Sequence, residues 1–322
     1  MYIDFSIQED RQKGSLLGLA IGDAMGAPVE FMKRGTFEPV TVYRSGGKFR
    51  LKAGEWTDDT AMALCLAKSL LESEGFDPLD QMNKYTTWMY EGYMSCTGKP
   101  IGLGKTCQRS LIRYGGSKQA YTNIKHEKFS GNGSLMRLAP ICIYYADNIN
   151  EAVHYAALSS KTTHGSPIAV DSCRYMSYVI FHLFSAKDKQ DIFSQKFKDN
   201  TYLYFSEDPL HETLEPIING DFMKKSESEI SSSGYAIHSL EAALWSFYHT
   251  DTFEAAILKA VNLGDDADTV GAITGQLSGA YYGLYGLYGI PMKLLTALGL
   301  GCSIKTIADK LVEVQMNKRS IK

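Results

Sequence analysis

The sequence predicts an all-α fold, and three observations carry that reading. Apolar residues recur at helical spacing near both ends of the chain and between them. No stretch sustains the apolar–polar alternation of a half-buried strand, and no βαβ rhythm is present. Glycine recurs every four residues in two separate segments, at Gly14, Gly18, Gly22 and Gly26 and again at Gly271, Gly275, Gly279 and Gly283. With 322 residues, 44% of them hydrophobic, the chain can bury a large core, and we read residues 1–322 as a single compact multi-helix domain.

Taken in order, the first helix places Leu17, Ala20, Ile21 and Ala24 on one face. The next follows Thr57-Asp58-Asp59-Thr60 and aligns Met62, Cys65, Leu66 and Leu70. Further helical runs are expected after Gly102-Leu103-Gly104 and after Ser130-Gly131-Asn132-Gly133-Ser134. From about Ser185 to Ser233 the chain turns polar and charge-rich, in SAKDKQDIFSQKFKDN and KKSESEISSSG, and we read this as a surface excursion. The pattern then resumes, with Val270, Ile273, Leu277 and Leu284 on one face. Glycine within a helix costs about 1 kcal/mol relative to alanine. Two four-glycine registers therefore imply a compensating contact, the close approach of two central helices. Residues Thr269 to Met292 lack any charge, as a membrane span would, but include Thr274, Gln276, Ser278, four tyrosines and six glycines. A buried core helix fits that composition better, so no membrane partner is expected.

Charge and cysteine content narrow the function. Lys and Arg number 33 against 36 Asp and Glu, for a net charge of −3, which disfavours broad nucleic-acid binding. The six cysteines are scattered, without a CxxC pair, so a structural zinc site is not indicated and a reducing compartment is. No secretory signal opens the sequence, and a cytoplasmic address follows.

Two acidic clusters stand out, Thr57-Asp58-Asp59-Thr60 and Asp265-Asp266-Ala267-Asp268-Thr269, each opening a helix. Helix capping explains one or two such residues per helix. Adjacent carboxylates repel unless neutralised, and two clusters with threonine oxygens also make a ligand set for hard cations. The residues alone leave capping and a two-metal site as alternatives. Two glycine-rich loops, residues 102–106 and 130–134, suit an anionic group such as a diphosphate, the second with the Arg137 guanidinium nearby. The first lacks Walker spacing, since Lys99 stands where a glycine is needed, and no strand precedes it. His164 sits among small and hydroxyl residues in SSKTTHGSP. No GxSxG elbow or Cys–His pair points to a covalent nucleophile.

Five ordered motifs, GSLLGLAIGDAMGAPVEF, EWTDDTAMALCLAKSL, GNGSLMRLAPI, SSKTTHGSP and NLGDDADTVGAITGQLSGAYYG, resemble the ADP-ribosylglycohydrolase family over nearly the whole chain. The resemblance implies an all-α domain with two Mg2+ (or Mn2+) ions, held by Thr57, Asp58 and Asp59 on one side and Asp266, Asp268 and Thr269 on the other. It makes Glu30 the glutamate of a mobile loop near the metals and, with Asp58 and Asp59, a catalytic candidate. Gly102, Gly104, Lys105 and Thr106 correspond to the diphosphate loop. Asn132, Gly133, Ser134 and Arg137 correspond to the ribose and phosphate pocket, His164 to a further contact and Tyr235 to an adenine-stacking aromatic. The implied reaction is metal-dependent hydrolysis at the anomeric carbon of an ADP-ribosylated protein side chain, arginine first, with ADP-ribose as product. One departure bears on the acceptor: many arginine-specific members have Asp-Ile-Gly where this chain has Gly102-Leu103-Gly104. Serine-linked ADP-ribose, free O-acetyl-ADP-ribose and a non-catalytic ADP-ribose binder are the alternatives.

Overall fold

The structure, a computed structural model, describes residues 5–321. Among them run fourteen α-helices: α1 (Phe5–Gly26), α2 (Asp58–Glu72), α3 (Pro78–Glu91), α4 (Lys105–Ser117), α5 (Ala139–Tyr144), α6 (Ile149–Thr163) and α7 (Pro167–Leu183). Then come α8 (Gln195–Tyr204), α9 (Glu215–Ile218), α10 (Ala236–Tyr248), α11 (Phe253–Val261), α12 (Ala267–Tyr282), α13 (Met292–Ala297) and α14 (Gly301–Ile321). Two isolated bridges, Gly46 with Leu51 and Gly131 with Tyr235, are the β-type pairings among the described residues. The all-α expectation holds.

The glycine repeats form the central contact. α1 and α12 lie antiparallel, with Gly14 against Gly279, Gly18 against Gly275, Gly22 against Gly271 and Gly26 against Ala267. A Cβ placed on Gly271 would come within 2.5 Å of the Gly22 carbonyl oxygen, and the other pairs are as tight. The backbones themselves are in contact, which is the compensation the repeat requires. Gly283 departs from the pattern: it ends α12 at φ 75°, so Leu284 lies beyond the helix. Ser15 Oγ donates to the Gln276 carbonyl at 3.0 Å. The Gln276 side chain in turn accepts from Ala139 N at 2.7 Å and donates to the Met136 carbonyl at 2.8 Å, pinning the 132–139 turn to α12. α2, α5, α7, α10, α11 and α14 surround this pair and complete a continuous apolar core.

Helix starts divide into two kinds. α3, α6, α7, α8 and α11 open on Asp77, Asn148, Ser166, Ser194 and Thr252, whose side chains accept from backbone N–H groups of the first turn. The caps of α2, α4, α10 and α12, at Thr57, Gly104, Tyr235 and Asp266, make no such bond. These four N-termini border one cleft.

Residues 185–233 carry only short helices and 3₁₀ turns, yet Ile192, Phe197, Phe205, Ile217, Ile218, Phe222 and Ile230 are buried and join the core. One apolar anchor per short turn leaves no sustained period, so the segment reads as more polar than its packing. No described helix is long and apolar enough to cross a membrane.

The glycine contact is testable by adding one methyl group. Gly22→Ala drives Cβ into the Gly271 backbone, and a loss of about 3 kcal/mol or outright misfolding is expected in thermal or urea unfolding. Gly115→Ala, where α4 leaves open space, should be neutral or stabilise by about 0.4–1 kcal/mol.

Candidate active site

Close contact between α1 and α12 brings Asp23 of α1 to Asp268 in the first turn of α12, beside the start of α2. Asp23 is fully buried, and both its oxygens are saturated. Oδ1 accepts from Thr57 N and Thr57 Oγ1, both at 2.9 Å, and Oδ2 accepts from Thr60 N at 3.0 Å and Thr60 Oγ1 at 2.7 Å. A carboxylate from another helix thus caps α2. This decides between capping and other roles for the first acidic cluster: Asp58 and Asp59 are not needed as caps. Thr57 Oγ1 also lies 3.1 Å from Asp59 Oδ2 and 3.4 Å from Asp268 Oδ2, a dense knot of oxygens.

Two overlapping triads result. Asp23, Asp59 and Asp268 each present an oxygen within 4.8 Å of the others, and so do Glu30, Asp266 and Asp268. Asp268 belongs to both. Among the described residues no Lys, Arg or His forms an ion pair with Asp23, Glu30, Asp58, Asp59, Asp266 or Asp268. Glu30 Oε2 and Asp59 Oδ1 are buried without a hydrogen-bond partner. Burial first, then the Asp58 charge, pushes the Glu30 carboxyl up to about 8. Burial and the Asp23 charge push Asp58 to about 8 as well. Asp59 and Asp268 are raised well above the usual carboxylate range by burial and by their acidic neighbours. Asp266 is raised by burial against the pull of its Asn132 hydrogen bond. Orphaned buried oxygens and uncompensated negative charge are what a bound cation relieves, and an all-oxygen donor set suits a hard one. The acidic clusters are able to hold metal.

The cluster forms the floor of a cleft of about 290 Å³. Glu30, Asp58, Asp266, Asp268 and Thr269 line one side, and Gly102, Gly104, Lys105 and Thr106 line another. Gly102 stands at φ 86°, and a Cβ there would fall on Asp58 Oδ1, so this position admits glycine alone while Asp58 keeps its place. The uncapped N-terminus of α4 offers its free N–H groups beside Lys105. Gly131, Gly133 and Gly234 close the third wall over His164. A Cβ on Gly133 would lie 2.7 Å from His164 Cε1, so the loop rests directly on the imidazole. His164 Nδ1 meets Thr163 Oγ1 at 2.8 Å, which leaves Nε2 for the cleft. Burial, then the Arg137 charge, depresses the imidazole to about 3, and the ring is neutral at physiological pH.

Residues 6–320 match the family model described as ADP-ribosylglycohydrolase. The chain belongs to the ADP-ribosylglycohydrolase family. Its enzyme class is accordingly a hydrolase acting on ADP-ribosyl groups. The ADP-ribosylarginine hydrolase Tri1 of Serratia proteamaculans is 36% identical over 94% of this chain and 79% of its own length. The ADP-ribosyl-[dinitrogen reductase] glycohydrolase of Rhodospirillum rubrum is 30% identical over 85% of this chain and 86% of its own. A solved structure titled ADP-ribosylglycohydrolase-related protein complex superposes with a TM-score of 0.83 at 38% identity, covering 97% of this chain and 100% of that one.

Set against the residues expected of an ADP-ribosylglycohydrolase, the structure moves several. Arg137 does not reach the cleft. It is wholly buried, donates to Thr163 Oγ1 at 2.8 Å and lies over the Tyr85 ring at 4.5 Å. The turn over 132–137 precedes a helix that starts only at Ala139, and this points the guanidinium inward. Ser134 is also buried, against Ser160 Oγ at 2.8 Å, and is not a lining residue. Asn132 lines the cleft, but its amide donates to Asp266 Oδ2 at 2.6 Å and to Ser239 Oγ at 2.7 Å, so it orients a carboxylate. Tyr235 is half-buried outside the lining set, its ring edge-on to His238 at 5.0 Å. Thr57 and Asp59 lie beneath the cleft floor. Sequence reading left Asp23 out of the site. Its signal was the one charged residue in the apolar half of α1, between Gly14 and Gly26. Phe31, next to Glu30, was also passed over, and it lines the cleft mouth.

Two outcomes follow. Unfolded Glu30 and Asp58 release their protons near the ordinary 4.5 and 3.8, whereas the folded groups hold theirs to about 8. Between those values the unfolded chain binds fewer protons, so the metal-free protein loses stability as pH rises through this window. Melting in EDTA should show a lower Tm at pH 8 than at pH 5, and a divalent cation should restore it at pH 8. Asn132→Ala, which frees Asp266, should weaken metal affinity by roughly 10–100-fold in a calorimetric titration while the fold persists.

Proposed function

We propose that the protein is a magnesium-dependent hydrolase that cleaves the glycosidic bond between ADP-ribose and a modified arginine side chain of a protein, releasing ADP-ribose. The observation that carries this reading is the pair of carboxylate triads sharing Asp268 at the floor of a cleft, where Glu30 Oε2 and Asp59 Oδ1 are buried without a partner and fit a hard cation. With Asp23 engaged by Thr57 and Thr60, Asp59 and Asp268 from one triad and Asp266 and Asp268 from the other, together with the neighbouring Asp58, Thr57 and Thr269, favour two Mg2+ ions, or Mn2+. Two relatives matching 94% of the chain are named ADP-ribosylarginine hydrolases, which supports arginine as acceptor. Scattered free cysteines, four of them buried, support a reducing, cytoplasmic location.

Bound cations supply Lewis acidity and a fixed attachment for the ribose hydroxyls. The chain supplies the rest. The N-terminus of α4, with Gly104, Lys105 and Thr106, holds the diphosphate. The Gly131–Gly133 loop and the neutral His164 ring form the ribose wall. Glu30 Oε2 has no partner and borders the cleft, so it takes the proton from the water that attacks the anomeric carbon as the bond to the acceptor breaks. A second reading, hydrolysis of serine-linked ADP-ribose or free O-acetyl-ADP-ribose, draws on Gly102, since no carboxylate at that position can pair with a guanidinium.

The test is ADP-ribose release from arginine- and serine-modified proteins with Mg2+ and with EDTA. Release of intact ADP-ribose from the arginine substrate with Mg2+ alone is expected; AMP as product would assign a diphosphate hydrolase instead. Glu30→Gln should lower kcat by roughly 10²–10⁴-fold and leave KM little changed. Release from the serine substrate alone would keep the chemistry and reassign the acceptor.

A further inference from the structure

If the acceptor is arginine, the cleft needs a partner for a guanidinium, and its carboxylates do not offer one. Glu30, Asp266 and Asp268 form one triad, and Asp58 lies against the Gly102 backbone. Gly102 itself cannot be replaced by an acid while Asp58 occupies that space. A different cation-binding group stands at the mouth. Phe31 lines the cleft beside Glu30, yet its side chain is 57% exposed where Glu30 is 6% exposed. The ring already receives a cation: Lys48 Nζ lies 4.0 Å from its centroid. Lys48 is itself exposed and forms no ion pair among the described residues, so it can yield the ring face.

The backbone from which this ring projects is constrained. Phe31 has φ 65°, a left-handed conformation costly for a bulky residue. Two hydrogen bonds maintain it: Phe31 N donates to the Asp265 carbonyl at 2.6 Å, and Asp265 N donates to the Met32 carbonyl at 2.7 Å. Asp265 belongs to the loop that presents Asp266 and Asp268. The Phe31 backbone is therefore tied to the same segment as the acidic floor, and the residue lines the cleft beside Glu30.

We propose that Phe31 is the acceptor-recognition residue: its ring binds the guanidinium of the ADP-ribosylated arginine in place of the Lys48 ammonium. This rests on the arginine reading above and supplies its specificity. A planar guanidinium stacks on an aromatic face and needs no carboxylate there. A serine linkage places no cation at that position and draws nothing from the ring's charge preference.

Phe31→Leu keeps an apolar side chain and removes the π face; Phe31→Tyr keeps the face. With Mg2+-loaded enzyme, KM for an arginine-linked substrate should rise roughly 5- to 30-fold in Phe31→Leu and stay within about twofold in Phe31→Tyr. Values of kcat for both variants, and the Kd for free ADP-ribose, should match the parent, with thermal melting confirming the fold. An equal loss of free ADP-ribose affinity in Phe31→Leu would assign the ring to the nucleotide and overturn the proposal. So would an unchanged KM, or equal losses for Leu and Tyr. If the parent protein releases nothing from the arginine substrate, the failure lies with the arginine reading itself, and the parent assay alone reveals it.

Discussion

Backbone contact between α1 and α12 is the constraint on which the rest of this molecule depends. Four glycines on each segment remove the side chains that would hold the two axes apart. The site inherits its dimensions from that approach. Asp23 follows Gly22 directly, and Asp268 sits between Ala267 and Gly271 on the facing helix, so the two acids are drawn together by the same contact that seals the core. Loss of water around the acids, and then like charge, resists this, and the raised proton affinities of Glu30, Asp58, Asp59 and Asp268 record both. Packing supplies the force that concentrates charge, and a cation removes the penalty.

Division of labour among the acids follows from which oxygens are already engaged. Asp23 spends all its acceptor capacity on Thr57 and Thr60, and so fixes the start of α2 without needing to face a ligand. Asp58 and Asp59 are released from capping. Asn132 does for Asp266 what Asp23 does for α2, holding one oxygen so that the other has a defined direction. Arg137 contributes at longer range: buried over Tyr85, it supports the Thr163–His164 wall, and its charge adds to the burial that keeps His164 neutral.

Much of this was legible in the sequence, and what was not had a physical cause. The four-residue glycine period marked the central pair because nothing else compensates for so much helix-weakening residue in register. Paired carboxylates marked the floor, since capping cannot use them all. Asn132, Ser134 and Arg137 were harder. A polar residue in a glycine-rich motif reads alike whether it faces ligand or core, and only the turn that delays the helix to Ala139 decides the matter. The 185–233 segment reads as more polar than it packs because anchors such as Ile192 and Phe222 lie on turns too short to show a period. Gly102 looked like a lost charge partner, but its main constraint is the Asp58 carboxylate behind it.

The central contact also orders events in time. Ser15 and Gln276, which hydrogen-bond across the glycine seam, are 261 residues apart. At a synthesis rate of about 5–20 residues per second, α1 leaves the ribosome roughly a quarter of a minute to a minute before its partner exists. Throughout that interval the glycine face has no partner, although Asp23 can already meet Thr57 and Thr60 at the start of α2, and the acidic floor is not assembled. The nascent chain therefore cannot assemble the acidic cluster until α12, near the end of the chain, has emerged.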